Sequence, residues 1–202
     1  ELPDDIFDRF ENMLVLTKMH VHGSTHNAGL LERAGLPYVV LYRDLRDVAI
    51  SHYHYVRNTP WHPEHPIYAE KTVEQGLLAF ADHLLEPFAD WVRCWHANAH
   101  PDLALEIRYE QMLEDAEGQF KRVAEHFNLP RDDQTIHEIV EAHSFKRLSS
   151  GRDQGQASTS SFFRKGVAGD WANTFTEPVK DAFKDKIGRF LIDHGYETDD
   201  SW

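Results

Sequence analysis

At 202 residues the chain can hold one substantial α/β domain or two very small ones. With 41% apolar and 27% charged residues it has ordinary globular composition, which excludes collagen-like, coiled-coil and disordered classes. Its 21 basic residues face 34 acidic ones, a net charge of −13, so it is a poor partner for nucleic-acid backbones or anionic membranes, and any anionic ligand needs a local basic cluster.

In chain order, the N-terminal ELPDDIFDRF has no apolar signal-peptide core, and a start at Glu1 rather than Met predicts a chain that begins partway into a longer polypeptide. Residues 13–17, Met-Leu-Val-Leu-Thr, are an apolar run of the kind expected for a buried strand, as are 38–42 and 103–109. A short helix is expected over 27–34. Another is expected over 45–56, with Asp44 as N-cap and Asp47 in its first turn. Residues 73–99 carry a helical apolar pattern that Pro87 is expected to split in two. That stretch holds the single cysteine, Cys94, which excludes an internal disulfide framework and suits a reducing, cytoplasmic setting. Helices are expected over 111–127, 132–144 and 178–193, and the small, polar residues 149–161 are expected to form a mobile, lid-like loop. No apolar run approaches the roughly 18 residues of a membrane span. Strands alternating with helices predict an α/β fold, three αβα layers around a central parallel sheet, with residues 1–202 forming one domain.

Three constellations carry candidate chemistry. Arg43 follows the strand ending at Tyr42 and precedes a helix, at the carboxyl edge of a sheet where α/β proteins bind anions; Ser51 lies two turns into that helix. The plainer reading pairs Arg43 and Arg46 with Asp44 and Asp47 on the surface. Arg164-Lys165-Gly166 offers two cations and an accessible amide, a phosphate cradle or else a surface turn. Lys18 and His20 share a face if their segment is extended, which would join a titratable imidazole to a cation, or they are simply solvated.

Together these segments resemble the PAPS-dependent sulfotransferases. The run Tyr38–Tyr55, with Arg43 and Ser51 eight residues apart, is similar to that family's 3′-phosphate site. Arg164–Thr176 is similar to its C-terminal RKGxxGDWxNxFT signature, the most specific of the matches. Arg108-Tyr109-Glu110 and Ala142-His143-Ser144-Phe145 resemble its YED and TSF segments, with His143 in place of threonine. The likeness runs from about His20 to Thr176. It implies a P-loop-like fold that takes PAPS as sulfuryl donor and releases the bisphosphate product PAP, with a small-molecule hydroxyl or amine as acceptor and no metal. It also implies that Arg43, Ser51, Arg164, Lys165 and Gly166 bind the 3′-phosphate, and that Tyr109 and Phe145 flank the adenine. His20 would be the general base, with Lys18 beside the transferring group and His22 as the fallback base. The oligomer, monomer or homodimer, is left open.

The family's opening strand and phosphosulfate loop have no match in residues 1–17, and no glycine precedes Gly23. Those elements are expected upstream of this sequence, or the chain is a degenerate, non-catalytic relative that keeps the nucleotide 3′-phosphate site. A third reading makes it a metal protein in which His20, His22, His26, His52 and His54 converge on zinc, although the HxHxDH pattern of metallo-β-lactamase-like hydrolases is not met.

Overall fold

The structure, a computed structural model, describes residues 1–202 apart from 11, 12, 14, 159 and 160. In chain order the elements are α1 Thr25–Arg33, β1 Tyr38–Tyr42, α2 Leu45–Arg57, α3 His65–Tyr68, α4 Val73–His83 and α5 Leu85–Asn98. There follow β2 Ala104–Arg108, α6 Tyr109–Glu114, α7 Ala116–His126, α8 Asp133–Ala142, α9 Phe145–Leu148, α10 Trp171–Thr174 and α11 Glu177–Asp193.

β1 and β2 pair in parallel, from Tyr38 opposite Ala104 to Tyr42 opposite Arg108. A parallel pair needs a long crossover, and α2 to α5 supply it. Side chains alternate across the sheet, so Val40 and Glu106 share one face. Val40 is buried there with Ala28 and Leu31 of α1 and Trp95 of α5, and Glu106 meets His96 of α5 at 3.2 Å. On the other side of the molecule α7 packs against β2, and its His126 ring bonds the carbonyls of Tyr38 and Leu103.

The main core lies between helices. Leu45, Ala49 and Ile50 of α2 meet Leu77 and Phe80 of α4, Leu85, Ala89 and Val92 of α5, and Val179, Phe183 and Ile187 of α11. Each large apolar side chain buried there contributes roughly 1.5–3 kcal/mol, enough to hold the N-terminal turn of α2 in place beneath the carboxyl end of β1. Local signals agree with the packing. Asp44 caps α2 by accepting the Arg46 N–H at 2.9 Å, and Thr72 with Gln75 forms a capping box on α4.

Three expectations need correction. Residues 13 and 15–17 form no strand, and Leu16 is 88% exposed; Leu14 lies outside the described residues. A strand exists only where a neighbour completes its ladder, and among the described residues the sheet consists of β1 and β2. The 73–99 helix breaks at Leu84, not at Pro87. Pro87 sits in the first turn of α5, where its missing N–H leaves no helical bond unmade. The 111–127 helix is two helices, because Asp115 turns its carboxylate to the Gly118 N–H and starts α7 afresh.

Candidate functional site

The turn from β1 into α2 is a buried charge lattice. Arg46 is 1% exposed. Its guanidinium forks onto Asp44 and reaches Glu197 at 2.5 Å, and it lies over the ring of Trp171, 3.7 Å away, and over that of Trp202, 4.6 Å away. Asp47 is 2% exposed and accepts the backbone N–H groups of Gly169 at 2.7 Å and Trp171 at 3.0 Å. Arg43 pairs with Asp47 and Arg46 with Asp44, as the plainer reading has it, but not on the surface: Asp44, Arg46 and Asp47 are buried, and Asp47 also reaches the C-terminal signature. Arg43 donates to Asp47 at 3.1 Å and to the Val167 carbonyl at 2.9 Å, with its guanidinium over the Tyr109 ring. Burial pushes the Asp44 carboxyl up, against the pull of Arg46.

The Arg164–Gly166 segment is shaped by two features. Gly166 has φ +67°, and a Cβ there would lie 2.3 Å from the Phe145 ring, so only glycine fits. Asp170 accepts from Arg164 and from Lys165, each at 2.5 Å. Burial works against the Asp170 charge, but those hydrogen bonds prevail and hold its carboxyl below the usual range. The described part of the 149–161 loop is hydrogen-bonded within itself and to the signature segment. Arg152 donates to the carbonyls of Gln156 and Arg164 and to the Ser161 hydroxyl, and the Gly155 and Ser158 amides bond to Lys165 and Arg164.

These segments enclose a cavity of about 630 Å³. Arg43, Ser51, Tyr109, Phe145, Arg164, Lys165 and Gly166, all singled out from the sequence, line it together. The Arg43 Nε is buried and makes no hydrogen bond among the described residues. A buried donor without a partner is costly, so an anion held between Arg43, Ser51 and Arg164 fits this chemistry.

The remaining wall was not assigned to this site from the sequence, where His52 and His54 entered only as zinc candidates. Val48, Ser51, His52 and Tyr55 recur at helical spacing along α2 and all line the cavity, a signal readable in hindsight. His54, Phe88, Phe162 and Phe163 complete it, with Phe162 79% exposed at 6.0 Å from Tyr55. Burial lowers the His54 pKa, and the charges of Arg164 and Arg57 lower it further. Burial also lowers that of His52, against the pull of Glu64 at 3.0 Å.

Lys18 and His20 are not brought to this cavity. Both are exposed, on a segment that is neither helix nor strand, and make no hydrogen bond or ion pair among the described residues. His22 bonds Asp90 of α5 at 2.9 Å, His26 bonds the Leu2 carbonyl and His52 pairs with Glu64, so the convergence of these histidines on one zinc ion is overturned.

A two-stranded parallel sheet whose carboxyl edge feeds a capped helix, closed by a distant arginine-lysine-glycine turn, defines an α/β domain with a cation-lined cavity. The family model described as "Sulfotransferase domain" matches residues 7–195, and the chain belongs to that family. Over 158 residues it is 26% identical to Sulfotransferase 1A1 of Bos taurus, covering 72% of this chain and 52% of that one. Over 161 residues it is 29% identical to the flavonol 4′-sulfotransferase of Flaveria chlorifolia, covering 70% and 48%. The chain thus spans about half the length of the curated relatives it matches. Its fold is that of mouse sulfotransferase SULT7A1 complexed with PAP, at TM-score 0.63 and 23% identity over 83% of this chain and 66% of that one. It is also that of retinol dehydratase complexed with androsterone and PAP, at TM-score 0.65 and 24% identity over 81% and 49%. No helix among the described residues is long and apolar enough to cross a membrane.

Proposed function

We propose that the chain, as one domain, is the nucleotide-binding part of a PAPS-dependent sulfotransferase that moves a sulfuryl group onto a hydroxyl or amine of a small molecule. The observation that carries this reading is the single cavity lined by Arg43, Ser51 and Arg164, with the Arg43 Nε buried and unpartnered. PAPS, when bound, supplies an activated sulfuryl group on a phosphosulfate anhydride. Arg43 and Arg164 neutralise the dianionic 3′-phosphate; the Ser51 hydroxyl and Gly166 amide donate to it. Lys165 adds charge, and Tyr109 and Phe145 flank the adenine. That phosphate is remote from the bond that breaks, so these residues bind and orient rather than lower the barrier themselves.

His20 takes the acceptor's proton as attack proceeds and Lys18 offsets charge at the transferring group. Both require the 15–24 segment to meet the mouth of the cavity. The acceptor wall is Tyr55, Phe88, Phe162 and Phe163 with Thr59 and Ser161, which suits a hydroxyl carried on an apolar ring system. The names of relatives, a flavonol sulfotransferase and complexes with retinol and androsterone, are of that kind. The lone Cys94 suits a cytoplasmic setting.

The second reading, a non-catalytic module that binds the nucleotide alone, is favoured by the lining of the cavity, which includes neither Lys18 nor His20. Calorimetry with adenosine 3′,5′-bisphosphate against 5′-AMP, followed by PAPS turnover with a panel of phenols, alcohols and amines, separates the two. Preference for the bisphosphate with turnover supports the enzyme, and preference without turnover supports the module. Equal binding of both nucleotides overturns the site.

A further inference from the structure

Away from the cavity, α5 places Asp90 and Cys94 one helical turn apart on one face, and a third side chain from a separate segment meets them there. His22 Nε2 lies 2.9 Å from Asp90 Oδ2, and Cys94 Sγ lies 3.8 Å from Asp90 Oδ1. All three donor atoms fall within 4.8 Å of one another. Among the described residues this is the one group of three His, Cys, Asp or Glu side chains so arranged.

The backbone that delivers His22 is tied down on both sides. The Val21 carbonyl accepts from the indoles of Trp91 at 2.7 Å and Trp95 at 3.1 Å. The His22 carbonyl accepts from Asn27, and the Gly23 carbonyl from Asn98. Gly23 is what permits the approach, since a Cβ there would lie 2.4 Å from the Trp95 backbone nitrogen. The backbone around His22 is therefore held by four hydrogen bonds that are independent of its own ring, three from α5 and one from Asn27 of α1.

We infer that His22, Asp90 and Cys94 form a binding site for a divalent zinc-type cation, with three protein ligands and an open fourth position for water. An imidazole nitrogen, a carboxylate oxygen and a thiolate sulfur are the donor set that borderline-soft Zn²⁺ prefers over Mg²⁺ or Ca²⁺. The carboxylate and thiolate balance the ion's two charges, and a chain of net charge −13 attracts cations. The site is distinct from the nucleotide cavity and does not rest on the function proposed for it.

The test is a titration of the untagged, reduced chain with Co²⁺ alone and then Zn²⁺ alone. One equivalent of Co²⁺ is expected to give a thiolate-to-cobalt absorption band that Zn²⁺ abolishes. In competition with a chromophoric chelator, Cys94→Ser, Asp90→Asn and His22→Gln should each weaken Zn²⁺ binding about 10-fold or more, while His26→Gln leaves it unchanged. Circular dichroism checks that each variant is folded, and His22 and Asp90 are exposed enough for their substitution to be tolerated. Absence of the band, or wild-type affinity in folded Cys94→Ser, overturns the site.

Discussion

Asp47 and Trp171 stand 124 positions apart, yet the Asp47 carboxylate accepts the Trp171 backbone N–H at 3.0 Å. The same carboxylate holds the Gly169 N–H and the Arg43 guanidinium. One buried aspartate thus ties the first turn of α2 to the C-terminal signature, and the cavity exists because of that tie.

Removing it should be severe. Asp47→Ala leaves two backbone N–H groups and the Arg43 charge without their partner in the interior, a loss of about 3–5 kcal/mol by analogy with broken buried pairs. Urea denaturation should show a lower midpoint with an unchanged slope, and bisphosphate binding should fall with it. A change below about 1 kcal/mol would mean that the tie is incidental.

Binding and chemistry should separate by residue. Arg43→Ala is expected to weaken adenosine 3′,5′-bisphosphate binding about 10-fold or more while the rate at saturating donor changes little. His20→Ala should do the reverse, lowering turnover about 10²- to 10⁴-fold with nucleotide affinity intact. Calorimetry and steady-state kinetics on the two variants read both quantities, and equal effects would count against the division.

Gly166→Ala tests the shape of the cradle. Alanine must adopt φ +67° and push its methyl group into the Phe145 ring. The left-handed backbone alone costs about 1–2 kcal/mol, and the clash adds to it. Thermal unfolding should show a clear drop, whereas Gly155→Ala, also at positive φ but with open space around its Cβ, should show only the backbone share.

Acid should weaken the fold through the cavity histidines. Burial lowers the pKa of both His52 and His54 in the folded chain, while in the unfolded chain each titrates near its ordinary 6.5. The unfolded state therefore binds more protons below that value. Stability is full above 6.5, falls as the pH drops through it, and stops falling once the folded-state values are passed. His194, also lowered by burial, acts with the same sign. Urea midpoints measured from about pH 7.5 down to about pH 5.5 should decline, and the decline should be shallower in His52→Phe and His54→Phe.

Local chemistry was legible along the chain. The apolar run at 38–42, the Asp44 cap and the helix beyond it depend on neighbours a few residues away, so pattern and capping rules found them. The segments carrying Arg43, Ser51 and Arg164-Lys165-Gly166 stood out in the same way, because a phosphate cradle needs particular residue types at short spacing. The run at 13–17 shows the limit: its composition suits a strand, but strand formation depends on a partner that composition does not contain.

Nearest-neighbour spacing was enough to mark the strands at 38–42 and 104–108, the helix after Asp44 and the cation-bearing turns, and with them the family. Only the tertiary structure decided that Arg46 and Asp47 are buried rather than solvated, that Asp170 holds both signature cations, and that His52 and Tyr55 share a wall with Ser51. It also left Lys18 and His20 outside the cavity. The reason is physical: burial depends on what packs over a segment, and Asp47 carries no local mark of the Gly169 and Trp171 backbone N–H groups it meets more than a hundred residues along the chain.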